Sequence, residues 1–338
     1  MSNPFQRDGE MLPVASINSV YVDDTTAYDL FRPSLILETL MQNNDVLQLD
    51  SVTPDASILA LFEELLLHSN QQIRQKAHEI ALWYGLKLAK VLSTLFRPSQ
   101  KSIQNRTNWT SEHWAYWRTI RQIYLVGGLT SSALTSIFSK AIEQEFERNN
   151  ITEVGVTFVI DSQNMGTRGL ATQVTNGAYL LFDFGQTNIK RSYLQKEEGT
   201  TIVHTNLQSL PAKHLFYKAV SEEDIKHTAI QLNDYIMKVL LQTVRETAFQ
   251  GDNMYLSIAN YVYQGTIYSA RGGYGKLAYL APNYQIHLQT QISNQLGRPI
   301  EVKLFHDTSA MALLYQTEEH CAVISLGTAF GVAFPSKT

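Results

Sequence analysis

The apolar run from Leu180 delivers Asp183, breaks at Gly185 and Thr187, and resumes through Ile189 to end near Leu194 (LLFDFGQTNIKRSYL). An acid, a glycine and a hydroxyl in that order make a phosphate-and-metal hairpin. Asp183 offers a hard oxygen of the kind Mg²⁺ takes beside substrate phosphates. Gly185 lets the backbone approach a phosphate, and the Thr187 hydroxyl and following amides can donate to it. A second acid stands in LFHDTSAMALLY, where the apolar run from Val302 to Phe305 meets His306 and Asp307 before a helix opens at Thr308. A carboxylate there sits at the carboxyl end of a strand, where open α/β sheets place their ligands. The same residue also suits a plain helix cap. In SLGTAFGVAF, Gly327, Thr328 and Gly331 interrupt apolar strands and can present amides to a phosphate, or simply turn a hairpin. In YLVGGLTSSAL, Gly127 and Gly128 separate a strand from a helix start, a turn that admits a base or ribose and equally suits a plain βα connection.

The elements that must carry these residues alternate between helical and strand periods, which argues for an α/β architecture. Amphipathic helices are expected over 55–69 and 71–95, the second with Ile73, Ala77, Ile80, Ala81, Tyr84 and Leu88 on one face. A strand over 120–126, a helix over 131–146 and a strand over 154–160 are next. Then come the strand pair that opens at Tyr179 and closes near Leu194, an extension over 200–207, a long helix over 222–249 and a strand over 254–259. A helix over 284–296 ends at Gly297 with Pro299 beyond it as a stop. The strands over 301–305 and 322–326 close the series. At 338 residues the chain exceeds what one core usually fills, so two lobes are expected. A net charge of -4 without any Lys/Arg cluster gives no reason to expect nucleic acid as a partner. No uninterrupted apolar segment is long enough to span a bilayer, so no membrane partner is expected. Cys321 is the only cysteine, which excludes an internal disulfide and makes a reducing cytoplasm the expected compartment.

The four motifs together resemble the phosphate-1, catalytic-aspartate, phosphate-2 and adenosine motifs of the actin-like ATPase superfamily, nearest to its ROK and hexokinase-like sugar kinases. Those kinases read D-x-G-G-T-N-x-R, then N-D-T or N-D-A, then G-T-G, then G-G. Here the G-G comes first, at Gly127-Gly128. That order is what a circular permutation would produce. RDGEML (7–12) would continue the hairpin begun by SLGTAFG, and VIDSQNMGTRGLATQV (159–174) resembles the closing segment of ROK kinases. The resemblance implies a two-lobed, ribonuclease H-like α/β fold. Residues 1–175, completed by 319–338, would form a nucleotide-binding lobe, and 176–318 a phosphate-1 and substrate lobe.

The resemblance also assigns roles. Asp183 would organise Mg²⁺; Gly185, Thr187, Lys190, Gly327 and Thr328 would hold ATP phosphates; Gly127 and Gly128 would line the adenosine. Asp307 would be the general base that accepts the proton of a sugar hydroxyl, with His306 and Asn283 (in LAPN, 280–283) contacting the sugar. The chain departs from the pattern at Gln186, Ala329, His306 and Lys190, where the family carries Gly, Gly, Asn and Arg. The cysteine-rich zinc motif of ROK kinases is absent, so no structural zinc is expected.

Other features invite bland readings. ARGGYGKL (270–277) lacks the first glycine and the Ser/Thr of a Walker loop. NWTSEHWAYWR (108–118) carries three tryptophans better suited to core or dimer packing than to sugar stacking. The nine histidines show no metal-ligand spacing. Two function classes stand: an ATP-dependent kinase of a hexose, amino sugar or polyol, with homodimerisation left open, and a non-catalytic nucleotide- or sugar-binding sensor or scaffold on the same fold.

Overall fold

The computed structural model describes residues 2–49, 58–130, 132–215, 221–268 and 273–335. These form two compact units. The first holds residues up to Pro4, Ser16–Gln163 and His320–Val332, and the second Phe5–Ala15, Asn164–Glu319 and the chain from Ala333 onward. The expected lobe boundary at 175/176 therefore moves to 163/164, and the hairpin Gln6–Arg7 with Glu10–Met11 joins the second unit.

Apolar alternation gives the first unit a four-stranded sheet in the order Phe330–Ala333, Cys321–Leu326, Gln122–Val126, Gly155–Phe158. The last three strands are parallel. The helix Gln71–Phe96 buries the expected stripe from Ile73 to Leu88, one residue longer than the periodicity marks, and packs on Ser132–Arg148. Phe31 stacks on Tyr84 at 4.1 Å and on Phe330 at 5.4 Å, and the Tyr84 hydroxyl donates to the Phe31 carbonyl at 2.8 Å. Trp109, Trp114 and Trp117 are buried, which makes the tryptophan segment core packing. The helix expected over 55–69 is seen as Ile58–Leu66, its expected first residues lying outside the described ones.

The second unit is built on a five-stranded sheet in the order Glu301–His306, Asn253–Ile258, Gly177–Phe184, Asn188–Glu197, Thr200–Pro211. The last three run antiparallel to one another, and Gly177–Phe184, Asn253–Ile258 and Glu301–His306 are parallel. An antiparallel meander of three followed by two parallel strands has the ribonuclease H-like order that the resemblance implies, so the expected α/β class holds.

Strand period two sorts the central strand's side chains onto opposite faces. Leu180, Phe182 and Phe184 enter the larger core with Ile236, Leu240, Leu288 and Ile292. Tyr179 and Leu181 enter the smaller one with Leu170, Tyr255 and Ala310. Asp183 shares the parity of the second set and faces the helix Met165–Thr172.

That helix crosses Asp307–Ala312 so tightly that a Cβ on Gly169 would overlap the Ala310 carbonyl oxygen. Backbone is what it would strike, so no side-chain rotation relieves the clash. Gly169→Ala is therefore expected to destabilise the protein by about 1–3 kcal/mol or more. The check is a lowered urea midpoint at unchanged m-value; an unchanged midpoint would show the helices free to separate.

Candidate functional site

Register brings the carboxyl ends of the three parallel strands level. Asp183 pairs with Ser257, and Phe184, Ile258 and His306 share the next row. Asp307 comes one residue later, two strands and roughly 10 Å across the sheet from Asp183.

Asp183 is 1% exposed. Its Oδ1 accepts from the Ser257 hydroxyl at 3.0 Å, and Lys190, directly opposite on the antiparallel neighbour, brings Nζ to 3.4 Å from Oδ2. Gly166, in the first turn of Met165–Thr172, leaves the room this carboxylate occupies: a Cβ there would sit 2.5 Å from Asp183 Cγ.

Asp307 opens its helix and is held by one oxygen. Oδ1 accepts from the Thr308 amide at 2.6 Å and the Thr308 hydroxyl at 3.2 Å, with His306 Nε2 also at 3.2 Å. Among the described residues Oδ2 has no hydrogen-bond partner. Burial, and then the negative charge of Asp183, push the Asp307 carboxyl up to about 7, against the opposing pull of Thr308 and Lys190. The two acids thus face one electrostatic environment.

Burial takes the His306 imidazole down to about 3, so it is neutral. Its ring stacks on Tyr261 at 4.3 Å, and Nδ1 lies 3.0 Å from the Ser309 hydroxyl. With both nitrogens on protein groups, His306 supports Asp307, a different part from the sugar contact expected of it. Asn283 likewise works on the chain itself. It caps the helix Tyr284–Leu296 through Ile286 N at 3.0 Å and donates to the Gln264 carbonyl at 2.8 Å.

The turn after Asp183 is tied by the Gly185 amide to Asn188 O at 3.2 Å, while the Tyr274 hydroxyl donates to Gly185 O at 2.9 Å. Burial and the charges of Asp183 and Asp307 hold the Tyr274 phenol protonated. The Gln186 and Thr187 amides and the Thr187 hydroxyl have no partner among the described residues, so they are the donors this turn offers an anion. Gln186 has no positive φ, and its side chain stands 3.5 Å from Ala259 O. Lys276 is spent on the carbonyls of His214 and Leu215, in keeping with the rejection of a Walker loop. Arg271 and Gly272 of that segment lie outside the described residues.

The remaining expected residues fall in the first unit. Gly127 has φ +103° and packs against Leu326, the residue before Gly327, so the two glycine turns are neighbours. The Gly127 carbonyl accepts from the Thr130 and Ser162 hydroxyls, whereas Gly128 faces open space. Gly327, Thr328 and Ala329 form an exposed turn, and Ala329 has no positive φ to strain its methyl group.

Sequence reasoning misses Ser257, Thr308, Tyr261, Tyr274 and Gly166 as site residues. Only Thr308, adjacent to Asp307, carries a local signal; the others depend on strand register and tertiary contacts. Mg²⁺ fits the donor set. Two carboxylates repel one another with Lys190 as the nearby cation, and Mg²⁺ takes one or two carboxylates, substrate phosphates and water. Among the described residues no group of three or more His, Cys, Asp or Glu could hold a metal alone.

No family model matches the sequence, and no curated protein does. Among solved structures the chain is loosely similar to a Bacteroides thetaiotaomicron protein with an actin-like ATPase fold and unknown function. Identity is 9% and the TM-score 0.23, over 53% of this chain and 52% of that one. The chain thus spans about half the length of that relative. An exopolyphosphatase-like protein matches at 10% identity and a TM-score of 0.30, over 68% of this chain and 87% of that one. A type II variant of the Aquifex aeolicus Ppx/GppA phosphatase matches at 10% and 0.28, over 75% and 87%. These likenesses transfer no residue role, and the fold assignment rests on the strand order.

Two measurements test the acid pair. Asp183→Asn removes the facing charge, so the Asp307 carboxyl is expected to titrate lower in that variant by carbon NMR; an unmoved titration would mean the acids do not interact. Stability gives the second. A carboxyl raised in the folded state contributes stability that is full below about pH 4 and lost as pH rises through about 7. Asp307→Asn should therefore gain stability relative to the parent between pH 4 and pH 8, read by urea melts at each pH, and a pH-independent difference would contradict the burial of this charge.

Proposed function

We propose that the protein transfers the γ-phosphoryl group of ATP to a hydroxyl of a hexose, amino sugar or related polyol. The observation that carries this reading is Asp307: one oxygen anchored, the other unpartnered, at the carboxyl end of a sheet beside a second buried acid. The acceptor oxygen would attack the γ-phosphorus in line. Its proton passes to Asp307 Oδ2, the bond from the γ-phosphorus to the bridging oxygen breaks, and ADP leaves. A carboxyl titrating near neutrality is matched to this task, because it is substantially ionised yet basic enough to take a proton.

Asp183 would hold Mg²⁺ through an oxygen or a bound water, and the cation would supply charge neutralisation across the phosphates. Gln186 and Thr187 offer amides to the phosphates, and Lys190 adds a positive charge. By resemblance, Gly327 and Thr328 would also contact phosphates, while Gly127 and Gly128 would line the nucleoside. Circular permutation belongs to the same proposal and rests on motif order.

One observation favours the rival reading, a non-catalytic nucleotide- or sugar-binding protein. His306 has both ring nitrogens engaged and so withdraws a contact that the resemblance gives to the sugar. Turnover separates the two. With MgATP and a panel of hexoses, amino sugars and polyols, sugar-stimulated ADP release is expected, falling ~10²- to 10⁴-fold in Asp307→Asn while ATP binding by calorimetry persists. Binding without turnover would establish the rival, and stimulation that survives Asp307→Asn unchanged would remove Asp307 as the base.

A further inference from the structure

The five-stranded sheet of the second unit ends in the strand Thr200–Pro211. Twelve residues at 3.4 Å each make an edge roughly 40 Å long. Its inner side pairs with Asn188–Glu197, and its outer side has no strand partner among the described residues, nearly every residue in it being exposed. Such an edge presents a row of unpaired amides and carbonyls that template another strand, and proteins usually blunt it with charged residues or internal proline. This edge is not blunted that way. No Asp, Glu, Lys or Arg lies between Thr200 and Leu210, and the only proline ends the strand. Ile202 is 53% and Val203 37% exposed, on opposite faces. The pairing is irregular near Gln195/Lys196 and Ile189/Arg191, but Val203 to Leu207 runs in regular register.

We propose that this edge pairs antiparallel with the same strand of a second copy, about a two-fold axis near the strand's middle, so that one sheet continues through a homodimer. A second copy suits the edge better than an arbitrary peptide because the strand's ends carry opposite charge. Glu197 ends the preceding strand and Glu198 follows it in the turn, and Lys213 stands just after the edge strand, exposed, with its ammonium 5.8 Å from the Tyr235 ring centroid. Antiparallel self-pairing sets the acidic turn of each copy toward the basic end of the other, twice by symmetry. Burial together with Arg168 and Lys196 lowers the His204 titration, so the strand's centre brings no like charges together at neutral pH. A contact of strand edges alone belongs with small interfaces, so a reversible, concentration-dependent dimer is the form expected.

Sedimentation velocity of the full chain across a wide concentration range tests this. The parent is expected to show a monomer–dimer equilibrium, and Thr205→Lys with Asn206→Lys, which the axis sets opposite one another in the two copies, to weaken it by about tenfold or more. Lys213→Glu alone should weaken association, and adding Glu198→Lys should restore it. Should the double-lysine variant fail to fold, hydrogen exchange on the parent decides: amides of Thr200–Pro211 must gain protection as concentration rises. A parent that stays monomeric, or a dimer whose strand amides gain no protection, would overturn the proposal.

Discussion

A buried carboxylate, Asp183, pressed against the bare Cα of Gly166 is the constraint on which the second unit depends. Taking an ionised acid out of water costs on the order of several kcal/mol unless partners repay it. Here the repayment is partial: one hydroxyl at 3.0 Å and one ammonium at 3.4 Å. Both partners are register neighbours, so the sheet itself fixes them. Room for the acid comes from the helix Met165–Thr172, and that helix can lie so close only because Gly169 admits the Ala310 carbonyl. The same crossing starts at Asp307, so the packing that buries the first acid also sets the second. Incomplete compensation of two facing acids is poor design for stability and suitable design for a site that receives a cation and phosphates.

Under the proposed function, His306 departs from the pattern that the resemblance implies and still leaves Asp307 able to act. A charged imidazolium beside Asp307 would drag the carboxyl down and weaken it for the role proposed here. Burial under Tyr261 prevents this by keeping the ring neutral. A neutral imidazole and the family's amide are alike in offering hydrogen bonding without charge. What is lost is reach: the ring is committed to Ser309 and Asp307.

Much of the second unit is legible in the sequence because long apolar alternation and helix punctuation are local signals. The helix Tyr284–Leu296 has the expected bounds, and its Gly297 cap is left-handed as a C-terminal glycine should be. The strand carrying Asp183 and the strand that leads into Asp307 end within two residues of their expected limits. The N-terminal region is not legible beyond the Arg7–Leu12 hairpin, since strands of two residues and helices of four or five are too short to show a period. The division at 163/164, in place of the expected 175/176, follows tertiary contacts that leave no local signal, because Gly166 and Gly169 hold the helix Met165–Thr172 against Asp183 and Ala310. The resemblance of LAPN gives Asn283 a sugar contact, and in the structure its side chain caps the helix it precedes, a role that its spacing before Ile286 suits.

Gln186 and Ala329 bear on whether lost glycines must mean lost phosphate binding. A glycine is indispensable where φ is positive or where another backbone lies against its Cα. Neither residue has a positive φ. Gly127, at φ +103° and packed on Leu326, does meet both conditions, and there the glycine is retained. What a phosphate needs from a turn is amides without partners, and Gln186, Thr187, Gly327, Thr328 and Ala329 all offer them among the described residues. Under the proposed function, Gln186 and Ala329 thus stand at turn positions whose backbone does not require glycine, so the amide donors remain and the side chains can shape what binds.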